Sequence, residues 1–102
     1  MSIVPYKKRI VTAATTTVLS ESCVVFEIVI AVADVGTTWT LKIQDKAGSP
    51  CVLVPKFTMV LPTDFKPIII NFNEPVTMDG GIDIVTTGTP GEVCVWLIVG
   101  KN

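Results

Sequence analysis

The side chains that perform most enzyme chemistry are sparse in this sequence. It holds three cysteines, Cys23, Cys51 and Cys94, and no histidine. Without an imidazole there is no Ser-His or Cys-His pairing to activate a nucleophile. The cysteines show no Cys-x-x-Cys spacing, and a zinc site of mixed Cys and His ligands lacks its second ligand type. Each lies in an apolar run, where a free thiol acts as a small hydrophobe. Cys94, flanked by Val93, Val95 and Trp96, is in an inert setting for a thiol. Asp79-Gly80-Gly81-Ile82-Asp83 does place two oxygen donors around a glycine turn, as a calcium site or a glycosidase pair would need. Turn chemistry accounts for Asp79-Gly80 without a metal. Gly80-Gly81 and Gly88-x-x-Gly91 do not link a strand to a helix and carry no Lys-Ser/Thr ending, so neither is a phosphate loop. No catalytic residue, cofactor site or metal ligand is assigned, and the chain reads as a non-enzyme that needs no cofactor.

The aromatic residues are the other candidates for recognition. Trp39 shares its alternating face with Leu41 and Ile43 and reads as core. Trp96 shares its face with Cys94 and Ile98, which suits core, a subunit interface or an aromatic binding surface. No second aromatic accompanies it on that strand, which favours an interface over a sugar-stacking platform.

The elements that must carry these residues are strands. Glu92–Val99 is apolar on both alternating faces: Val93, Val95, Leu97 and Val99 on one, Cys94, Trp96 and Ile98 on the other. A strand with two dry faces sits between two layers, one of which can belong to a partner. With Ile82–Thr86 it flanks Thr-Gly-Thr-Pro-Gly, so the two runs read as a hairpin. Cys23–Ala33 reads as a central strand, with Val24, Phe26, Ile28, Ile30 and Val32 on one face and Val25, Glu27, Val29, Ala31 and Ala33 on the other. Its Val and Ile content favours a strand over a helix. Thr37–Gln44 alternates as a half-buried strand, and Thr15–Leu19, Cys51–Val54, Lys56–Leu61 and Pro67–Asn73 are shorter strands punctuated by Gly, Pro and Asp. Arg9–Ala13 is a further β segment, and Gly80-Gly81 permits positive φ before the last pair. No window carries a capped helical stripe. About eight strands predict an all-β, single-domain antiparallel sandwich or barrel, residues 9–102, preceded by an extended N-terminal arm, residues 1–8. Pro5 fixes the arm as extended, and it is expected to order on binding.

Composition bears on partners. In 102 residues, hydrophobic content is 49% and charged content 17%, against about 25% in ordinary soluble domains. So thin a polar coat predicts that other subunits cover part of the surface. Lys7, Lys8 and Arg9 form a basic end, while the rest carries five basic and nine acidic residues. Such an end suits docking onto an acidic surface, but three charges are a thin footprint for nucleic acid. No run approaches the roughly 20 apolar residues of a membrane helix. The odd cysteine number, with no secretory leader recognisable at the start, predicts a soluble protein of a reducing compartment. The interface candidates are Tyr6, Lys7, Lys8 and Arg9, with Val25, Val29, Cys94, Trp96 and Ile98 from the second faces of the two apolar strands.

One pattern spans nearly the whole chain, from Lys8 to Val99. Arg9-Ile10-Val11-Thr12 and Thr15-Thr16-Thr17-Val18 precede the long apolar strand. Thr38–Asp45, Thr-Trp-Thr-Leu-Lys-Ile-Gln-Asp, then ends in an Asp-x-x-Gly turn. Met78–Gly88 and Gly91–Val99 close the chain. This order resembles small structural proteins of tailed bacteriophages with jelly-roll-like β-sandwich folds, including capsid cement, or decoration, proteins. The last strand departs from similar sequences, which often end in polar or basic residues where Trp96-Leu97-Ile98 stands here. The resemblance implies a homodimer or homotrimer, made in the host cytoplasm, that binds the major capsid protein at capsomer junctions on the capsid exterior and stabilises the assembled shell. A small tail or fibre protein, and a carbohydrate-binding module using Trp96, Asn71 or Asn73, are the alternatives.

Overall fold

Every element of the computed structural model is a strand; it describes residues 2–34, 39–46, 52–59, 68–88 and 91–101. The turn expected at Asp34-Val35-Gly36 falls largely outside these residues, as do Cys51 and the side chains of Trp39 and residues 52–59. The same holds for the Pro62–Pro67 stretch and the Pro90 turn. The strands are β1 (Ser2–Ile10), β2 (Thr15–Leu19), β3 (Cys23–Asp34), β4 (Trp39–Asp45), β5 (Val52–Met59), β6 (Ile68–Met78), β7 (Ile82–Gly88) and β8 (Glu92–Lys101). They form two antiparallel sheets in the orders β1-β8-β3-β6 and β2-β7-β4-β5. The chain is therefore all-β and sandwich-like.

One core joins the sheets. Val25, Ile28, Ile30, Val93, Val95, Leu97 and Val99 from one sheet meet Leu41, Ile43, Ile82 and Ile84 from the other, all at most 1% exposed. Each such Val, Leu or Ile is worth about 1.5–3 kcal/mol of burial. The inward row of β8, Val93, Val95, Leu97 and Val99, is one of the two apolar rows its alternation sets apart, because a strand turns every second side chain to the same side.

Three expectations are corrected here. Ile82–Thr86 and Glu92–Val99 are not partners in a hairpin: β7 lies between β2 and β4, whereas β8 lies between β1 and β3 in the other sheet. The connection crosses the sandwich, because β8 with apolar residues on both faces finds its neighbours in the sheet of the equally apolar β3. Second, residues 2–8 of the expected arm are part of a sheet strand. Ser2 to Ile10 pairs residue by residue with Lys101 to Val93. Inward Tyr6 packs on the core, and Pro5, which has no N–H, sits where an edge strand tolerates it. Third, the faces of β3 slip by one residue. Val25 pairs with Val99 while Glu27 pairs with Ile98, leaving Phe26 as the extra residue of a bulge. Val25 and Ile28 consequently share the inner face.

Prolines also end fewer strands than expected. β5 runs through Pro55 and β6 through Pro75, both on edges and both at register shifts.

The corner between β6 and β7 is held by polar groups. Asp45, 5% exposed, accepts the amides of Asp79 (2.8 Å) and Gly80 (2.9 Å). The Lys46 amide donates to the Gly81 carbonyl at 3.1 Å. Gly81 has φ +114°, and a Cβ there would fall 2.0 Å from the Leu19 carbonyl oxygen. At the far end, Thr86 Oγ1 accepts from the Ala14 amide (3.0 Å) and donates to the Ala14 carbonyl (3.2 Å), fixing the corner between β1 and β2.

Candidate interaction surface

The outward faces of the two sheets differ in chemistry. On β2-β7-β4 the outward positions are polar: Thr15, Thr17, Thr40, Lys42, Gln44, Asp83 and Thr87, with Val85 among them. Thr17 Oγ1 donates to Asp83 Oδ1 at 2.8 Å, and the hydroxyls of Thr40 and Thr87 are in contact. This face is made for water.

On β1-β8-β3-β6 the register sets Lys7, Trp96, Val29 and Ile69 in one row across the sheet. Arg9, Cys94 and Ala31 form the row on one side, and Pro5, Ile98, Glu27 and Asn71 the row on the other. Trp96, Cys94, Ile98 and Val29 are half-buried, while Ile69 is 63% and Ile3 56% exposed. An apolar strip thus runs over Trp96 and Val29 of the two central strands onto Ile69 of β6, with Lys7 and Arg9 along the β1 margin and Glu27 beside it on β3.

Those charges are partly engaged. Arg9 Nε donates to Glu92 Oε1 at 2.7 Å, and this bond and the carboxylate's charge push the guanidinium pKa further up. Lys7 Nζ lies 5.4 Å from the centroid of the Trp96 ring, a cation–π contact that also covers apolar surface. On the opposite, sandwich side of this sheet, Lys101 spans Tyr6 (5.8 Å from the ring centroid) and Glu21 (3.3 Å). The hydrogen bond to Tyr6, then that to Glu21, hold its ammonium above its ordinary pKa. Glu27 has no cationic partner among the described residues.

Of the nine interface candidates, Lys7, Arg9, Val29, Cys94, Trp96 and Ile98 fall on this face. Three do not, and each is a correction. Val25 is core, 0% exposed, because the Phe26 bulge turns it inward. Tyr6 and Lys8 pair with the inward residues Leu97 and Val95, so both point to the sandwich side of β1. Lys7, Lys8 and Arg9 therefore do not act as one basic cluster: strand alternation separates Lys8 from its neighbours, and Arg9 is ion-paired. Ile69, Ile3, Ala31 and Glu27 also belong to the face. Ile69 was readable from the alternation of Pro67–Asn73; Ile3 was not, because its strand depends on β8.

The remaining reactive groups have structural partners. Cys23 is buried beside Met78, and burial, with the charges of Asp45 and Glu21, pushes its thiol pKa up. Of the two turn carboxylates, Asp83 accepts from Thr17, and the Asp79 backbone is tied to Asp45. Among the described residues no three Cys, Asp or Glu side chains converge as a metal ion requires. No protein-family model, curated protein or solved structure matches the chain. An apolar strip of this kind loses water favourably when it is covered.

Proposed function

We propose that this chain is a structural protein of a tailed-phage particle, of the capsid cement type, working as an oligomer that braces the assembled shell. The carrying observation is the contrast between the outward sides of β2-β7-β4, threonine-rich and polar, and of the other sheet, which carries a strip of Trp96, Ile98, Val29 and Ile69. A monomer has no use for the second face; an assembly buries it. The strand order supports the same reading. Pairs β1-β8, β2-β7, β3-β6 and β4-β5 are those of one long antiparallel ribbon rolled on itself, the jelly-roll arrangement common in capsid proteins. Repeated by shell symmetry, modest contacts sum to tight holding through avidity.

The test is cosedimentation of the purified chain with expanded, undecorated shells of a tailed phage of its own host. The wild type is expected to pellet with shells and raise their disruption temperature. Trp96→Glu is expected to bind about tenfold more weakly or worse while keeping its far-UV spectrum and cooperative unfolding, since an outer-face charge costs assembly more than folding. A wild type that stays in the supernatant at every concentration overturns the capsid reading. A carbohydrate role gains little from the geometry, because Lys7 already occupies a face of the Trp96 ring.

A further inference from the structure

We infer that the outer face of the β1-β8-β3-β6 sheet is covered by a second copy of this chain, stacked face to face about a two-fold axis that runs along the strands between β8 and β3. The inference rests on the reading above that this face is buried in an assembly, and it names the occupant. An isologous contact demands a surface complementary to itself. The register supplies one. Trp96 on β8 and Val29 on β3 share a row and lie on either side of the proposed axis, so rotation sets each over the other's counterpart. Lys7 and Ile69 end that row on β1 and β6, and rotation likewise brings Lys7 over the second copy's Ile69.

The charges obey the same symmetry. Lys7 is the cation of the face without a carboxylate partner among the described residues, and Glu27 is its carboxylate without a cationic one. They stand on opposite sides of the axis, one row apart. Rotation carries Glu27 over Ile98, beside Lys7 of the other copy, at a sheet separation of about 10 Å that their side chains can bridge. Two equivalent ion pairs then lie beside the apolar Trp96–Val29 row, each joining the edge strand of one copy to a central strand of the other. Arg9 and Glu92, already paired with each other, add no unmatched charge.

The size is sufficient. Four strands at about 4.8 Å spacing, with side chains, span roughly 20 Å, and four outward rows about 25 Å. Stacking two such faces buries on the order of 1,000 Å² in total, the lower bound for a specific interface and in keeping with a micromolar dimer. Shell contacts would then be made by the remaining surfaces of the dimer, and Trp96→Glu would weaken shell binding by splitting the dimer and removing its avidity.

Sedimentation equilibrium over a range of concentrations tests this, with shell binding measured on the same samples. The wild type is expected to be a dimer at tens of micromolar. Ile69→Lys, at a position too exposed to threaten folding, is expected to weaken dimerisation about tenfold. Lys7→Glu is expected to weaken it more, by setting a second carboxylate against Glu27 of the other copy. The double variant Lys7→Glu/Glu27→Lys is expected to restore the dimer to within about threefold of wild type, because the pairs re-form with reversed sign. A strict monomer overturns the dimer, and shell binding by that monomer would leave the capsid reading standing. A dimer indifferent to Ile69→Lys and to the charge reversals places the contact elsewhere and also overturns the proposal. A dimer that responds as expected but ignores shells upholds this inference and defeats the capsid reading instead.

Discussion

Gly81 is the residue whose identity the backbone fixes most tightly. With φ at +114° and the Leu19 carbonyl oxygen 2.0 Å from any added Cβ, a side chain forces the turn after β6 apart. Gly81→Ala is expected to cost about 3 kcal/mol, read as a lowered urea midpoint at unchanged slope. Asp45 works from the opposite side of the same corner. Its carboxylate takes two amides that the turn leaves without ladder partners, so this acid at the end of β4 is structural. The glycine pair was readable as a turn requiring positive φ. The reach of Asp45 across 34 residues to Asp79 was not, since no local pattern encodes which side chain closes a distant turn.

Among elements, β1 departs furthest from its sequence reading. A Pro-containing start followed by three basic residues has the composition of a loose arm, yet it is the edge strand that covers one side of β8. Its outward alternation explains why only Lys7 and Arg9 join the interaction surface. Removing residues 1–6 is expected to lower stability by about 3 kcal/mol through loss of Tyr6 packing and half the β1 ladder, measured by chemical denaturation. It should also leave β8 an exposed edge and so promote aggregation. An unchanged midpoint would return these residues to the status of an arm. β3 shows the converse case. Its length and apolar character were evident, but one inserted residue, Phe26, exchanged the faces of everything before it and moved Val25 from candidate interface into the core.

At the scale of the whole molecule, the chain's two ends meet: β1 pairs with β8, and every sheet neighbour of β8 lies far away in sequence. So non-local a topology predicts folding in milliseconds to seconds rather than microseconds. Stopped-flow refolding should show it, and a complete submillisecond transition would contradict it. The two sheets also give the molecule its asymmetry, polar outward positions on β2-β7-β4 and an apolar strip on the other sheet, and that contrast is what the capsid and dimer proposals use.

By itself the sequence determined the all-β class, most strand positions and the division of β8 into two apolar rows, Val93, Val95, Leu97 and Val99 against Cys94, Trp96 and Ile98. These depend on a period-two alternation that each strand carries locally. Only the tertiary structure decided which strands share a sheet, that the last two strands part company, and that Lys7, Trp96, Val29 and Ile69 stand in one row. Pairing and register arise from contacts between segments far apart in sequence, and a single bulge is enough to reverse a face. The interaction surface belongs to that second category: each strand supplies one line of it, and the fold alone sets the lines side by side.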